Sequence, residues 1–78
     1  MVENILKTSL LRGWVITIIY QKGDHITKRN IRVLDIEDNN IRAFCYLREQ
    51  IRLFKLENIL SASYSNMREN KIYTASGF

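Results

Sequence analysis

The chain of 78 residues is long enough for one small domain and too short for two. Its 46% hydrophobic and 26% charged residues are typical of a folded protein and exclude an intrinsically disordered chain. Twelve lysines and arginines against eight aspartates and glutamates give a formal charge of +4, which favours polyanionic partners.

The first twelve residues predict a short amphipathic helix. Apolar or small residues recur there at the three- and four-residue spacing of one helical face: Val2, Ile5, Leu6, Ser9 and Leu10. Gly13 follows at the position where a left-handed residue ends a helix, and Arg12 suits the negative end of the helix dipole. We expect this helix to cap one end of a sheet.

Five segments alternate apolar with polar residues and are rich in β-branched and aromatic side chains, as strands are. The predicted strands cover residues 14–20, 26–34, 41–47, 51–55 and 59–64. Residues 56–58 predict a turn or a single 3₁₀ step. The predicted fold is mainly β, with the helix followed by a strongly bent, five-stranded antiparallel sheet that closes into a partial barrel. This domain covers residues 1–64, and residues 65–78 form a polar tail that is either flexible or docks onto a partner.

The third and fourth strands carry the most distinctive pattern. One face of the third strand combines a cation with two rings, namely Arg42, Phe44 and Tyr46. A tight connection over residues 48–50 would place Tyr46 opposite Arg52 and Phe44 opposite Phe54. With Arg48 at the strand end, the hairpin of residues 41–56 is then predicted to form one basic and aromatic surface.

Such a surface suits a nucleotide or a short single strand, because guanidinium groups bind phosphate and aromatic rings stack on bases. Two structural alternatives remain open. The three rings of the hairpin fit a barrel core equally well. The arginines also have candidate structural partners in four nearby carboxylates, those of Glu37, Asp38, Glu49 and Glu57.

The hairpin resembles the most recognisable stretch of WYL domains. In that family a strand reading roughly A-Y-C-x-x-R precedes an R-x-F-x-x-x-x-I segment, and this chain has Ala43-Phe44-Cys45-Tyr46-Leu47-Arg48 followed by Arg52, Phe54 and Ile59. The resemblance extends over roughly residues 5–63. It departs at the triplet that names the family, which would fall on Asn39-Asn40-Ile41.

The resemblance implies an Sm-like or SH3-like small β-barrel, a sensor domain of bacterial transcriptional regulators that responds to nucleotides or single-stranded nucleic acid. By position, the resemblance assigns five residues to the ligand surface: Tyr20, Tyr46, Arg48, Arg52 and Phe54. Arg42 is added because strand alternation places it on the same face of the hairpin as Tyr46. The chain shows no helix-turn-helix pattern, so if it regulates transcription, we expect it to do so through a partner or as an excised fragment.

The leading hypothesis from the sequence is therefore a stand-alone regulatory module that binds a nucleotide-like or single-stranded nucleic-acid ligand. Its alternative is a protein-interaction or oligomerisation module without a small ligand. That module would form a homodimer or dock onto a regulator protein through the same face or through the tail with Tyr73 and Phe78.

Other functions lack their sequence signals. There is no nucleophile with a paired base, no glycine-rich phosphate loop and no metal-ligand cluster, so we expect neither catalysis nor a cofactor nor a metal. The lone Cys45 indicates a reducing compartment, and no apolar run approaches the roughly 18–20 residues of a membrane span. The expected location is the cytoplasm, without a signal peptide.

The remaining polar residues have ordinary interpretations. We expect His25 to be a solvated turn residue, Cys45 to be a packed thiol, and the acidic residues 35–38 to form a turn, since they lack the spacing of a calcium loop. A second basic group is either a solvated face or an extension of the nucleic-acid surface: Lys28, Arg29 and Arg32.

Overall fold

The computed structural model describes residues 2–65, which form one helix and one antiparallel sheet. The helix α1 spans Val2–Arg12, and a single 3₁₀ turn spans Leu56–Asn58. The strands are β1 (Ile16–Lys22), β2 (His25–Glu37), β3 (Asn40–Cys45), β4 (Gln50–Lys55) and β5 (Ile59–Tyr64). Their order across the sheet is β4-β3-β2-β1-β5.

The helix ends where the sequence predicts. Gly13 has a φ of 71°, in the left-handed region that favours glycine, and its N–H donates to the Ser9 carbonyl oxygen at 2.8 Å. The Ser9 hydroxyl donates to the Trp14 carbonyl oxygen at 2.6 Å and accepts from the Val33 N–H at 2.9 Å. One buried hydroxyl thereby fixes α1 to β2.

The core lies between α1 and one face of the sheet. Strand alternation directs every second side chain of β1, β2 and β3 to this face. The most deeply buried members are Leu6, Ile16, Ile18, Ile31, Ile41, Ala43 and Cys45. Burial of each large aliphatic side chain contributes about 1.5–3 kcal/mol. The opposite face of the sheet, which we call the outer face, points away from this core.

The sheet does not close into a barrel, so this part of the prediction is wrong. After β4, the 3₁₀ turn directs the chain to the far side of β1, where Tyr64 pairs with Ile16. Strands β4 and β5 therefore form the two opposite edges of the sheet. The mainly β architecture with five antiparallel strands is confirmed.

The register of the β3–β4 hairpin also differs from the prediction. The connection is a four-residue turn over residues 46–49, in which Glu49 has a φ of 55°. Cys45 therefore pairs with Gln50, and Phe44 pairs with Ile51 in place of Phe54, a shift of three residues. An odd shift turns β4 over, because side chains alternate between the two faces.

The new register moves two predicted site residues to the core side of the sheet. Arg52 pairs with Ala43 and not with Tyr46, while Phe54 pairs with Ile41 and is only 4% exposed. This register is favoured because it buries the large Phe54 ring. The predicted pairs Tyr46–Arg52 and Phe44–Phe54 are thus wrong.

The sequence predictions for the tail fall mainly outside the described residues. Only Ser65 of that segment is described, and its N–H donates to the Val15 carbonyl oxygen at 3.2 Å. The proposed role of Tyr73 and Phe78 therefore stays a prediction. Within residues 2–65, α1 falls far short of the length and apolar character that crossing a bilayer requires.

Candidate functional site

Four of the six predicted site residues line a single groove of about 680 Å³. The groove lies on the core side of the sheet, between β4 and the β1–β2 hairpin. The predicted residues that it collects are Tyr20, Arg48, Arg52 and Phe54. The other lining residues are Lys22, Gly23, His25, Thr27, Arg29, Leu53, Lys55 and Asn58. Its volume falls within the range of about 300–1,000 Å³ that is usual for small-molecule sites.

An aromatic pair forms part of the groove wall. The rings of Tyr20 and Phe54 pack edge to face, with centroids 5.0 Å apart and an interplanar angle of 82°. The Tyr20 hydroxyl accepts a hydrogen bond from the Lys55 N–H at 3.2 Å, which links β1 to β4 across the gap in the sheet. A register shift after Ile19 in the β1–β5 pairing accompanies this position.

The sequence left open whether Phe54 belongs to a ligand surface or to the core, and the burial of its ring answers this question. Phe54 is a core residue, since its ring is almost fully buried. Tyr20 is half-buried and keeps some surface on the groove side. The aromatic contribution to a ligand would therefore come mainly from Tyr20, with Phe54 holding that ring in place.

The groove is strongly positive. Among residues 2–65, the lining includes no aspartate or glutamate and five lysine and arginine side chains: Lys22, Arg29, Arg48, Arg52 and Lys55. Within residues 2–65, no carboxylate forms an ion pair with the groove arginines. The four carboxylates that the sequence offered as structural partners therefore do not neutralise the groove arginines. The groove cations are thus available to an external anion.

Arg29 belongs to the second basic group of the sequence analysis, and it is the member of that group that lines the groove. It pairs with Ile18 and is half-buried, so it points to the core side of β2. The signal was present in the alternation of β2, since Arg29 shares its face with Ile31 and Val33, which are both buried. Its neighbours Lys28 and Arg32 are exposed on the outer face.

The two other predicted site residues lie away from the groove. Arg42 is exposed on the outer face, where it pairs with Asp35 on one side and Leu53 on the other. The ring of Tyr46 packs edge to face against Phe44, with centroids 5.0 Å apart. The composite surface expected from the sequence is therefore divided between the two faces of the sheet.

Three further sequence expectations concern the remaining polar residues. His25 is exposed, pairs with Lys22 at the start of β2 and adds an imidazole to the groove lining. Cys45 is a buried free thiol. Among residues 2–65, no group of three or more histidine, cysteine, aspartate or glutamate side chains is arranged to hold a metal ion. The turn predicted over residues 35–38 is wrong for residues 35–37, which belong to β2, and only Asp38 lies in the turn. The Asp35 carboxylate accepts a hydrogen bond from the Ile36 N–H at 3.0 Å.

Comparison with known proteins finds a similar fold in a solved structure. No protein-family model matches the chain, and no curated protein matches it by sequence. Among solved structures, the fold is similar to one segment of a longer chain. That chain is proteasome accessory factor B/C (PafBC) of Arthrobacter aurescens, with a TM-score of 0.76 and 17% sequence identity. The similarity covers 97% of this chain and 13% of PafBC, so it concerns the fold of one segment of that protein.

Proposed function

We propose that this chain is a WYL-like regulatory module whose groove binds a nucleotide-like or single-stranded nucleic-acid ligand. The observation that carries the proposal is the convergence of Arg29, Arg48 and Arg52 on one groove, to whose lining the described part of the chain contributes no carboxylate. The role is binding without catalysis. The resemblance of the β3–β4 hairpin to WYL domains and the similarity of the fold to a segment of PafBC support its regulatory part.

The chemistry of the groove favours phosphate over a neutral ligand. Guanidinium groups bind phosphate oxygens through paired N–H donors, and the absence of competing carboxylates leaves these donors to the ligand. A base or another planar ring would rest against Tyr20, where stacking contributes about 1–3 kcal/mol. We therefore expect phosphate contacts to supply most of the affinity and the ring contact to supply selectivity.

Fluorescence anisotropy with labelled mononucleotides and short single-stranded oligonucleotides tests the proposal. Binding is expected to weaken as salt rises, since phosphate contacts release counterions. The double variant Arg48→Ala plus Arg52→Ala is expected to lose at least about tenfold in affinity, because each charged hydrogen bond contributes about 1.5–3 kcal/mol.

Arg32→Ala plus Arg42→Ala is the matched control, since it also removes two arginines, both of them exposed on the outer face. This variant should bind within about twofold of the original chain if binding occurs in the groove. Absence of binding at low salt would refute the proposal. An equal loss in this control and in the groove variant would show only a general attraction to positive charge.

A further inference from the structure

Strand β4 has a free edge whose backbone groups are directed outward. It is the terminal strand in the sheet order, with β3 on one side and no strand of residues 2–65 on the other. The Lys55 N–H points away from β3, because it donates to the Tyr20 hydroxyl. Alternate residues of a strand direct their N–H and C=O groups to opposite edges. Ile51 and Leu53 therefore present theirs to the same free edge as Lys55.

The side chains of these two residues are also exposed. Ile51 is 52% exposed and Leu53 is 68% exposed, both on the outer face. They pair across the hairpin with Phe44 and Arg42, respectively. Unpaired backbone groups and exposed apolar side chains thus occur on the same two residues. That combination suits a strand that accepts another strand.

We propose that β4 is a docking edge for an extended, acidic segment of a partner protein, which adds to the sheet as a sixth antiparallel strand. Its apolar residues would lie beside Ile51 and Leu53 on the outer face. A carboxylate between them would lie beside Arg52 on the core side. The Tyr20 hydroxyl already covers the edge at Lys55, so the added strand pairs with residues 50–53.

Charge selects an acidic partner over a second copy of the chain. Strand β4 carries Arg52 and Lys55 and no carboxylate. Pairing of two copies through this edge would bring four cations into adjacent strands, and positively charged edge residues oppose such self-pairing. A partner strand that carries carboxylates would instead be attracted by the same cations.

A synthetic peptide tests the inference on the full chain. A labelled peptide with the core Glu-Thr-Val-Glu-Val-Thr places its valines opposite Leu53 and Ile51 and its central glutamate opposite Arg52 in an antiparallel alignment. We expect binding by fluorescence anisotropy. Replacing both glutamates by lysine should abolish binding, because the charges then repel.

Backbone methylation separates strand addition from general attraction. N-methylation of both valines removes the amides that face β4 and should weaken binding about tenfold or more, since two backbone hydrogen bonds are lost. N-methylation of both threonines alters amides that face away, and binding should persist. Equal affinity of the two methylated peptides, or no binding of the parent peptide, would overturn the proposal.

Two variants of the chain complete the test. Leu53→Asn should weaken binding of the acidic peptide methylated only at threonine, because it removes the apolar contact without adding a charge. Leu60→Asn, at an exposed leucine of the opposite edge strand β5, should leave binding unchanged. Light scattering of the original chain provides a separate check. A stable dimer that Leu53→Asn dissociates would assign the edge to a second copy and would overturn the acidic-partner proposal.

Discussion

At the scale of single residues, Ser9 has the most demanding position in the fold. Its side chain is fully buried, yet it satisfies two backbone groups that belong to different parts of the chain, the Trp14 carbonyl and the Val33 N–H. A small hydroxyl is suited to this position because it donates and accepts at once. The site at the other end of the core depends on the sheet that this contact helps to hold.

Ser9→Ala is expected to lower the free energy of unfolding by about 2–4 kcal/mol. The substitution removes the hydrogen bonds that the Ser9 hydroxyl makes to the Trp14 carbonyl oxygen and to the buried Val33 N–H, and each lost bond of this kind costs about 1–3 kcal/mol. Urea denaturation followed by circular dichroism measures the loss. Thr8→Ala is the control, because its hydroxyl donates to the Asn4 carbonyl oxygen in an exposed position. Equal effects of the two substitutions would contradict this account.

Tyr20 shows how a residue can serve both the fold and the groove. Its hydroxyl is held by the Lys55 N–H, and its ring is held by Phe54. The orientation of the ring in the groove is therefore set before any ligand arrives. A preorganised ring loses little conformational freedom on binding, which increases the affinity that its contact provides.

At the scale of elements, the β3–β4 turn decides which residues form the site. Glu49 adopts a left-handed conformation that residues other than glycine, asparagine and aspartate rarely take. The turn over residues 46–49 fixes the pairing of Cys45 with Gln50, and with it the core-side position of Arg52. The strained conformation of Glu49 is thus part of the turn that places the Arg52 cation in the groove.

Glu49→Gly is expected to raise the free energy of unfolding by about 0.5–1 kcal/mol. Glycine removes the steric cost of the left-handed conformation, which outweighs the freedom that it adds to the unfolded chain. Denaturation with urea measures the change. Asp38→Gly is the comparison, since Asp38 has a similar φ of 56° but belongs to a residue type that tolerates it, so a smaller gain is expected. If Glu49→Gly lowered the free energy of unfolding, the conclusion that Glu49 is strained would be wrong.

The elements were predictable from the sequence because their signals are local. Alternation identified the five strands, and Gly13 marked the end of α1. The hairpin register was not predictable, because it depends on a four-residue turn in which no glycine or asparagine marks the left-handed residue. Barrel closure failed for a similar reason, since the path of Leu56–Asn58 decides which edge β5 joins.

The candidate site was predictable only in part, for the same physical reasons. Arg48 and Arg52, which the sequence prediction grouped on one surface, both line the groove, but Arg42 and Tyr46 were grouped with them through the wrong register. Arg29 was named only within a second basic group of open role, because its position in the groove depends on how the β1–β2 hairpin lies against β4.

At the scale of the whole molecule, the open sheet creates both the groove and the free edge of β4. The gap between β4 and the β1–β2 hairpin leaves the groove accessible, and the same gap leaves the outer edge of β4 unpaired. Closing the sheet into a barrel would have removed both features. The positive charge of the chain acts at both surfaces, since Arg52 and Lys55 belong to β4 and line the groove.

Anions that bind the groove should stabilise the whole fold. A ligand that binds only the native state at ten times its dissociation constant adds about 1.4 kcal/mol to the free energy of unfolding. For a domain of this size, that gain raises Tm by roughly 6–11 °C. We expect pyrophosphate to raise Tm more than chloride does at matched ionic strength, because its oxygens can bridge several arginines at once. Differential scanning fluorimetry measures the shift.

The origin of this stabilisation can be assigned with three variants. Arg29→Ala and Arg52→Ala should each reduce the pyrophosphate shift, because both remove a cation from the groove lining. Arg42→Ala should retain the shift, since it removes the same charge from the outer face. A reduction of equal size in all three variants would show that net charge alone causes the effect. A loss confined to the first two places the anion between β2 and β4, the two strands that carry Arg29 and Arg52.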